Sequence, residues 1–179
     1  MLTLASSSPR RQQLLSAAGV SFDVAVPDID ETPQLDENPV AYVERLAREK
    51  AAAVEGAFVL AADTTVACDG VILGKPVDDR EATAMLRALS GRSHFVHTGV
   101  AVRRGADTAS LVVSTEVTFG NLADADIAWY LSTGEHVDKA GAYALQGGAA
   151  RFVTVINGSV SGVVGLPMAE TMAMLAAME

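Results

Sequence analysis

The sequence predicts a mixed α/β protein in which one sheet combines parallel and antiparallel strands. In the first part of the chain, short strand-like segments alternate with helix-like segments, a pattern typical of parallel strands joined by helical crossovers. Further on, two long alternating segments, 94–104 and 108–119, are joined through Gly105, which predicts an antiparallel hairpin. Since no internal repeat or linker interrupts the 179 residues, we expect a single domain over 1–179.

Capping residues define the elements of the first half. Serine and asparagine are good helix N-caps, and proline fits the first helical position because its missing N–H is not needed there. Ser8-Pro9 and Asn38-Pro39 therefore each predict a helix start. The predicted elements are a strand at 2–5, a helix from Pro9 to a stop at Gly19, a strand at 22–26 and a helix from Pro39 to about Val54.

Turn residues define the second half in the same way. Asp69-Gly70 follows a buried apolar run and predicts a tight hairpin, and Asp79 is a candidate cap for the next helix. The predicted elements are the hairpin over 58–73, a helix at 80–90, the long hairpin, a helix at 124–134, an irregular loop at 138–152, a strand at 152–156, a turn at 157–158 and a helix at 166–178.

Composition excludes several classes of function. A net charge of −9 and a pI near 4.7 disfavour a nucleic-acid-binding module, which needs a basic face. The single cysteine, Cys68, allows no disulfide within the chain and fits a reducing compartment. There is neither a long apolar run typical of a membrane span nor a signal-peptide pattern. We therefore expect a cytoplasmic location.

A serine turn followed by two arginines is the first candidate binding site. Ser8, Arg10 and Arg11 lie where a strand passes into a helix N-terminus, a geometry that binds anions. Arginines in a first helical turn oppose the helix dipole, and a bound phosphate would remove that conflict. The residues also fit a simpler interpretation, a capped helix with solvated arginines, and on this segment alone both stay open.

Other candidates are charged or amide side chains at predicted strand ends and in loops. Asp63 follows a buried apolar run and could serve as a general base or a metal ligand. Asp30 and Glu31 lie in an acidic loop and could hold Mg²⁺ through carboxylate oxygens. Each candidate has an ordinary alternative, such as a local backbone cap, a charged helix face or a solvated loop. The remaining candidates are Lys50 on a helix, Lys75 in a Gly-Lys-Pro loop and Gln146 in the glycine-rich loop.

Several common site motifs are absent from the sequence. It has no phosphate-binding GxxxxGK[ST] loop, no GxGxxG, no CxxC and no GxSxG elbow. His94 and His97 are three positions apart on a predicted strand, so they face opposite sides. A zinc site is therefore not expected.

Together, eight segments in order resemble the Maf family. They run from Leu4 to about Thr171. The segments are LASSSPRRQQLL, DIDETP, RLAREKA, AADTTV, LGKP, ML..LSGR, GEHVDKAGAYALQG and VVGLPM.

The resemblance implies a nucleoside triphosphate pyrophosphatase that cleaves between the α- and β-phosphates with a divalent cation, Mg²⁺ or Mn²⁺. It implies a bent mixed sheet with flanking helices, forming two lobes around a deep cleft, similar to inosine triphosphatase, and a homodimer. The implied roles are Asp63 as proton acceptor, with Glu31 beside it on the metal; Lys50 and Lys75 as catalytic cations; and Ser8 and Arg11 as phosphate ligands.

Three further residues resemble the branch of the family that acts on dTTP and UTP, namely Arg10, Thr64 and Gln146. Whether the substrate is a normal or a modified pyrimidine nucleotide stays open. The chain departs from the family pattern at Thr154 and Val155, where relatives often carry a basic residue, and at Val160, where an aromatic residue is common.

A non-enzymatic regulator of cell division or septum formation is the alternative function. A protein that only binds a nucleotide needs no water-activating carboxylate. The presence of Asp63 together with Lys50 and Lys75 therefore favours the enzyme.

Overall fold

A seven-stranded mixed sheet organises the protein and confirms the predicted fold class. The structure is a computed structural model that describes residues 1–178. The strand order is β2-β1-β3-β5-β6-β7, with β4 paired to β3 alone. The strands are β1 (Leu2–Ala5), β2 (Phe22–Ala25), β3 (Phe58–Cys68), β4 (Val71–Leu73), β5 (Ser93–Arg104), β6 (Asp107–Phe119) and β7 (Val153–Asn157).

Six α-helices flank this sheet within the described residues. Two short 3₁₀ helices, Ala140–Ala142 and Gly148–Phe152, interrupt the loop after the fourth helix. The α-helices are α1 (Pro9–Ala17), α2 (Pro39–Ala53), α3 (Asp79–Leu89), α4 (Asp124–Ser132), α5 (Val160–Val164) and α6 (Met168–Met178).

The pairing of β1 and β3 creates an opening in the sheet. β1 runs parallel to β3 and ends at Ala5, which lies opposite Ala61. β3 continues beyond this point to Cys68 and pairs antiparallel with β5. Residues 62–65 of β3 therefore lie between the end of β1 and the start of the β4 pairing at Val66, with no strand paired on that edge. The chain turns there from β1 into α1.

Helix α2 covers one face of the sheet at an unusually close approach. Its apolar face buries Val43, Leu46 and Ala47, as the amphipathic pattern predicts. A Cβ atom on Gly99 of β5 would lie 2.3 Å from the carbonyl oxygen of Val43. Only glycine lets the helix backbone come this close, and this packing fixes the height of α2 above the sheet.

Three local predictions were wrong, and one helix was not predicted. Asp63 lies inside β3 rather than at a strand end, because the antiparallel neighbours extend the strand past it. Asp78, not Asp79, caps α3 by accepting from the Glu81 N–H. Ser8 occupies the N-cap position of α1 but makes no side-chain cap hydrogen bond. The short helix α5, residues 160–164, was not predicted.

The buried apolar residues of the described chain form separate clusters. One lies beneath α3 and α4 and includes Leu86, Phe119 and Tyr130. Another lies beneath α1 and α6 and includes Leu4 and Leu166. Within residues 1–178, no helix combines the length and apolar character that a bilayer crossing requires.

Candidate active site

A cavity of about 690 Å³ opens where β1 ends and α1 begins. Every predicted site residue except Gln146 lines it. The side chains that it gathers are of both charges: five basic (Arg10, Arg11, Lys50, Lys75 and Lys139) and three acidic (Glu31, Asp63 and Asp138). Its basic excess contrasts with the net charge of −9 of the whole chain, so cationic groups converge at this place in an acidic protein.

Lys50 joins the two carboxylates that were predicted to hold a metal. Its Nζ atom lies 2.6 Å from Oδ1 of Asp63 and 2.7 Å from Oε1 of Glu31. Lys50 and Asp63 are each 7% exposed, and α2 and β3 supply them from neighbouring elements. A buried ammonium and a buried carboxylate are costly to desolvate unless they are paired, so each charge stabilises the other in this position.

The pKa of Glu31 is lowered by surrounding cations. Partial burial acts to raise it, but the hydrogen bond and charge of Lys50, followed by the charges of Lys75 and Arg11, outweigh that effect. The carboxylate of Glu31 is therefore held in its ionised form at neutral pH.

Three hydrogen bonds fix the guanidinium of Arg11. Its Nε donates to the carbonyl oxygen of Gly165 at 2.8 Å. Nη1 donates to Oγ of Ser6 at 3.1 Å, and Nη2 donates to Oγ1 of Thr64 at 3.1 Å. Arg11 thus connects the serine turn, β3 and the segment after α5, and it stands rigidly at the cavity wall.

The remaining cations surround the opening more loosely. Arg10 lies beside Arg11 in the first turn of α1, where the structure places no acidic residue, and Lys75 follows β4 in an exposed loop. Lys139 enters from the loop after α4; burial and then the charge of Arg10 lower its pKa. The neighbouring positive charges repel one another, so an anion in the cavity would stabilise all of them.

Sequence reasoning did not single out Lys139, although it lies in the quoted segment GEHVDKAGAYALQG. The same loop contributes Tyr143 to the cavity wall. The Tyr143 hydroxyl lies 2.8 Å from Nε2 of the buried His94. The sequence feature that could have identified Lys139 and Tyr143 is their position in this segment, which resembles the Maf family.

Gln146 is the one predicted residue that the structure does not bring into the cavity lining. Its side chain is exposed, although the preceding residues Ala144 and Leu145 line the wall. The loop around it is fixed at both ends: the Ala144 N–H donates to the Tyr130 hydroxyl at 3.1 Å, and the Gly148 N–H donates to Oε2 of Glu135 at 2.7 Å. Gln146 therefore stands on an anchored loop at the edge of the cavity.

Glu31 and Asp63 suit a small divalent cation whose coordination is completed by a substrate. No group of three or more histidine, cysteine or acidic residues is arranged as a metal site in the described part of the chain. Mg²⁺ is, however, commonly held by one or two carboxylates together with substrate phosphates. Two carboxylates that share Lys50 in a cation-rich cavity fit that mode of binding.

Together, the fold and the cavity define a mixed α/β protein with a cation-rich cavity suited to a polyanionic ligand. The sequence matches the family model described as "Maf-like protein" over residues 1–178. The chain therefore belongs to the Maf family.

Several relatives are similar over almost their whole length. A protein of Anaeromyxobacter dehalogenans strain 2CP-C is 56% identical over 178 residues, covering 97% of this chain and 92% of that protein. Proteins of Myxococcus xanthus and Symbiobacterium thermophilum are 54% and 52% identical, covering 98% and 97% of this chain and 91% and 92% of their own. All three relatives are named dTTP/UTP pyrophosphatase.

Proposed function

We propose that this protein hydrolyses UTP and dTTP to the nucleoside monophosphate and pyrophosphate. The observation that carries the proposal is the pairing of Asp63 and Glu31 through Lys50 inside a cavity with four further cations. A nucleoside triphosphate brings about four negative charges, and charge-assisted hydrogen bonds to phosphate are roughly twice as strong as neutral ones. The names of the related proteins support the same activity and the same substrates.

Asp63 is the general base of the proposed reaction. Its carboxylate takes a proton from water while the water oxygen bonds to the α-phosphorus. The bond between the α-phosphorus and the oxygen that bridges to the β-phosphate then breaks, and pyrophosphate leaves with its electron pair. A positioned base of this kind contributes about 10²- to 10⁴-fold to the rate.

The cavity cations stabilise the charge that moves onto the leaving pyrophosphate. Arg11 presents a guanidinium already fixed by three hydrogen bonds, and Lys50 is held beside the base at 2.6 Å. Lys75 lies in an exposed loop and can close on the phosphates from the opposite side, while Ser8 and the N-terminus of α1 face them from the serine turn. Preorganised cations of this kind stabilise the transition state without reorganising during the reaction.

A divalent cation, Mg²⁺ or Mn²⁺, completes the site in this proposal. Glu31 and Asp63 would hold it together with phosphate oxygens of the substrate. When bound, such an ion neutralises phosphate charge.

Preference for uracil and thymine is assigned to Arg10, Thr64 and Gln146. These bases offer two carbonyl acceptors on either side of one N–H donor, and a glutamine amide can both donate and accept. Gln146 lies on the anchored loop beside the cavity-lining residues Ala144 and Leu145. A base that leaves buried polar groups unpaired costs roughly 1–3 kcal/mol per group, so two mismatches give about a hundredfold preference.

The experiment that tests this function compares kcat/KM for UTP, dTTP, CTP, ATP and GTP by pyrophosphate release. We expect UTP and dTTP to lead by about a hundredfold over the purine nucleotides. Gln146→Ala should reduce that preference, while Gln13→Ala, an exposed glutamine on α1 outside the cavity, should leave it unchanged. An equal loss on every nucleotide in Gln146→Ala would contradict the base-reading assignment. Nucleotide binding without any turnover would instead favour the alternative function, a non-enzymatic regulator of cell division or septum formation.

The cytoplasmic location and the homodimer stay predictions of the sequence and its resemblance. A nucleotide-hydrolysing enzyme whose single cysteine, Cys68, is buried and unpaired is compatible with a reducing compartment.

A further inference from the structure

We propose that Thr98 is a positioning residue that holds the guanidinium of Arg11 ready for phosphate. Thr98 lies on β5, opposite Thr64 of β3 in the sheet register, and it is completely buried. It does not line the cavity, so it acts only through its neighbours. The kinetic part of this inference rests on the proposed function, whereas its structural part does not.

The direction of one hydrogen-bond chain follows from counting protons. Oγ1 of Thr98 donates to the carbonyl oxygen of Gly162 at 2.8 Å. A hydroxyl has a single proton to donate, so in the 2.9 Å contact between Thr98 and Thr64 the proton comes from Thr64. Thr64 in turn accepts from Nη2 of Arg11 at 3.1 Å. The chain therefore runs from Arg11 through both threonines to Gly162.

Thr98 also supports the second acceptor of Arg11. Gly162 belongs to α5, and the residue that ends this helix, Gly165, accepts from Nε of Arg11 at 2.8 Å. By holding the carbonyl of Gly162, Thr98 ties α5 to β5 and so fixes the place of Gly165. Two of the three acceptors of Arg11 thus depend on one buried hydroxyl.

The arrangement leaves two N–H donors of Arg11 without a partner among residues 1–178. A guanidinium has five N–H groups, and three of them are used on Gly165, Ser6 and Thr64. The remaining two lie one on each terminal nitrogen, and both are left for the oxygens of a phosphate.

A consequence for specificity follows at Thr64. Its only hydroxyl proton is directed to Thr98, and it accepts from Arg11, so it has no proton left for a nucleobase in this arrangement. Thr64 can therefore take part in base reading only as an acceptor, through its second lone pair, for the N–H of uracil or thymine.

Two variants distinguish the effect of the Thr98 hydroxyl from the effect of the shape of its side chain. Thr98→Val keeps the branched side chain and removes the hydroxyl, whereas Thr98→Ser keeps the hydroxyl. We expect Thr98→Val to lower kcat/KM for UTP by about 10- to 100-fold, since small misplacements of a binding group have effects of that size. Thr98→Ser should stay within about threefold of the parent. Thr171→Val is the matched control, because Thr171 is fully buried and its hydroxyl has no hydrogen-bond partner within residues 1–178.

A double-mutant cycle tests whether Thr98 acts through Arg11. In an Arg11→Lys background, which lacks the guanidinium, Thr98→Val should change kcat/KM by less than about twofold, because coupled residues are not additive. The same loss in both backgrounds would show a general structural effect and overturn the proposal. Activity of Thr98→Val equal to that of the parent would overturn it as well.

A measurement without nucleotide keeps the inference separate from the proposed activity. The Nε–H proton of Arg11 can be followed by nitrogen-15 NMR and assigned by its absence in Arg11→Lys. It should exchange with solvent slowly in the parent and in Thr98→Ser, and about tenfold faster or more in Thr98→Val. If the parent hydrolyses no nucleotide, the proposed function is wrong. The exchange rate of the Arg11 Nε–H then decides by itself whether Thr98 holds the guanidinium in place. If Thr98→Val does not fold, fast exchange in the parent or in Thr98→Ser would still contradict the proposal.

Discussion

At the scale of single residues, the site is organised by one lysine that forms salt bridges with two carboxylates. Lys50 contacts both Asp63 and Glu31, so each carboxylate is placed by the same ammonium. Asp63 is the more buried of the two, which suits a base that must be shielded from bulk water. Glu31 is nearly half exposed, which suits a ligand at the entrance. The two carboxylates can therefore be tested separately.

Asp63→Asn should keep nucleotide binding and lower kcat by about 10²- to 10⁴-fold, because the amide cannot take a proton from water. The variant retains an oxygen that can accept from Lys50, so the fold should be preserved. Single-turnover kinetics with UTP and calorimetric binding measure the two effects separately. Turnover at the parent rate would reduce Asp63 to a structural partner of Lys50.

Chelation should stop the reaction, and added Mg²⁺ or Mn²⁺ should restore it. Glu31→Gln should raise the metal concentration for half-maximal activity by about tenfold or more, a size typical of lost metal-site contacts. Asp30→Asn is the control, since this neighbouring carboxylate is exposed, lies outside the cavity and accepts from the Thr32 N–H. Full activity in excess chelator, with the metal content measured, would exclude a metal requirement.

At the scale of elements, α2 and β5 determine where Lys50 lies. Lys50 is near the C-terminal end of α2, and α2 rests on β5 through the close contact between Val43 and Gly99. A change in the height of α2 would therefore move Lys50 relative to Asp63 on β3.

Gly99→Ala should destabilise the protein and lower its activity together. The added methyl group would lie 2.3 Å from the Val43 oxygen and 2.6 Å from its carbonyl carbon, and overpacking of this kind costs typically 1–3 kcal/mol. Urea unfolding followed by UTP kinetics on the folded fraction measures both effects. Gly74→Ala, where an added methyl group meets nothing within 4 Å, should unfold at the parent urea concentration. Equal stability of parent and Gly99→Ala would show that α2 adjusts freely.

Local signals account for the elements that were predicted correctly. Pro39 after Asn38 marks the start of α2, and the Asn38 side chain does accept from the Ala41 N–H. The turn at Asp69-Gly70 is likewise present, with a positive φ at both residues. Such features depend on neighbours in sequence and can be predicted from them.

Features that depend on distant residues were missed. The strand holding Asp63 extends past it because β5 pairs there, 36 residues further along the chain at Gly99. The link from Arg11 through Thr64 and Thr98 to Gly162 joins four elements, and no local pattern encodes it. Helix α5 has only five residues, too few for a helical period to be recognised.

At the scale of the whole molecule, the core contains a titratable group whose environment predicts acid sensitivity. His94 is 1% exposed, and burial lowers its pKa from 6.5 to about 4. Its Nε2 contacts the Tyr143 hydroxyl, and Nδ1 has no partner among residues 1–178. An unfolded chain would protonate this histidine near its ordinary value, whereas the folded protein resists protonation.

His94 therefore does not reduce the free energy of unfolding above pH 6.5. As the pH falls from 6.5 towards 4, the free energy of unfolding decreases, because the unfolded chain binds a proton that the folded protein does not. Between about pH 7 and about pH 4.5, the group should lower the free energy of unfolding by roughly 2 kcal/mol. His94→Gln should show a pH dependence that is smaller by that amount in urea titrations. The same slope in both proteins would place the acid sensitivity elsewhere.

The products formed from UTP show which bond of the triphosphate the protein breaks. Parent protein with UTP and Mg²⁺ should yield UMP and pyrophosphate in equal amounts, separated by anion-exchange chromatography, and Asp63→Asn prepared in parallel should form neither at a comparable rate. UDP and inorganic phosphate as the first products would contradict cleavage between the α- and β-phosphates, and the absence of any product would contradict the enzyme itself.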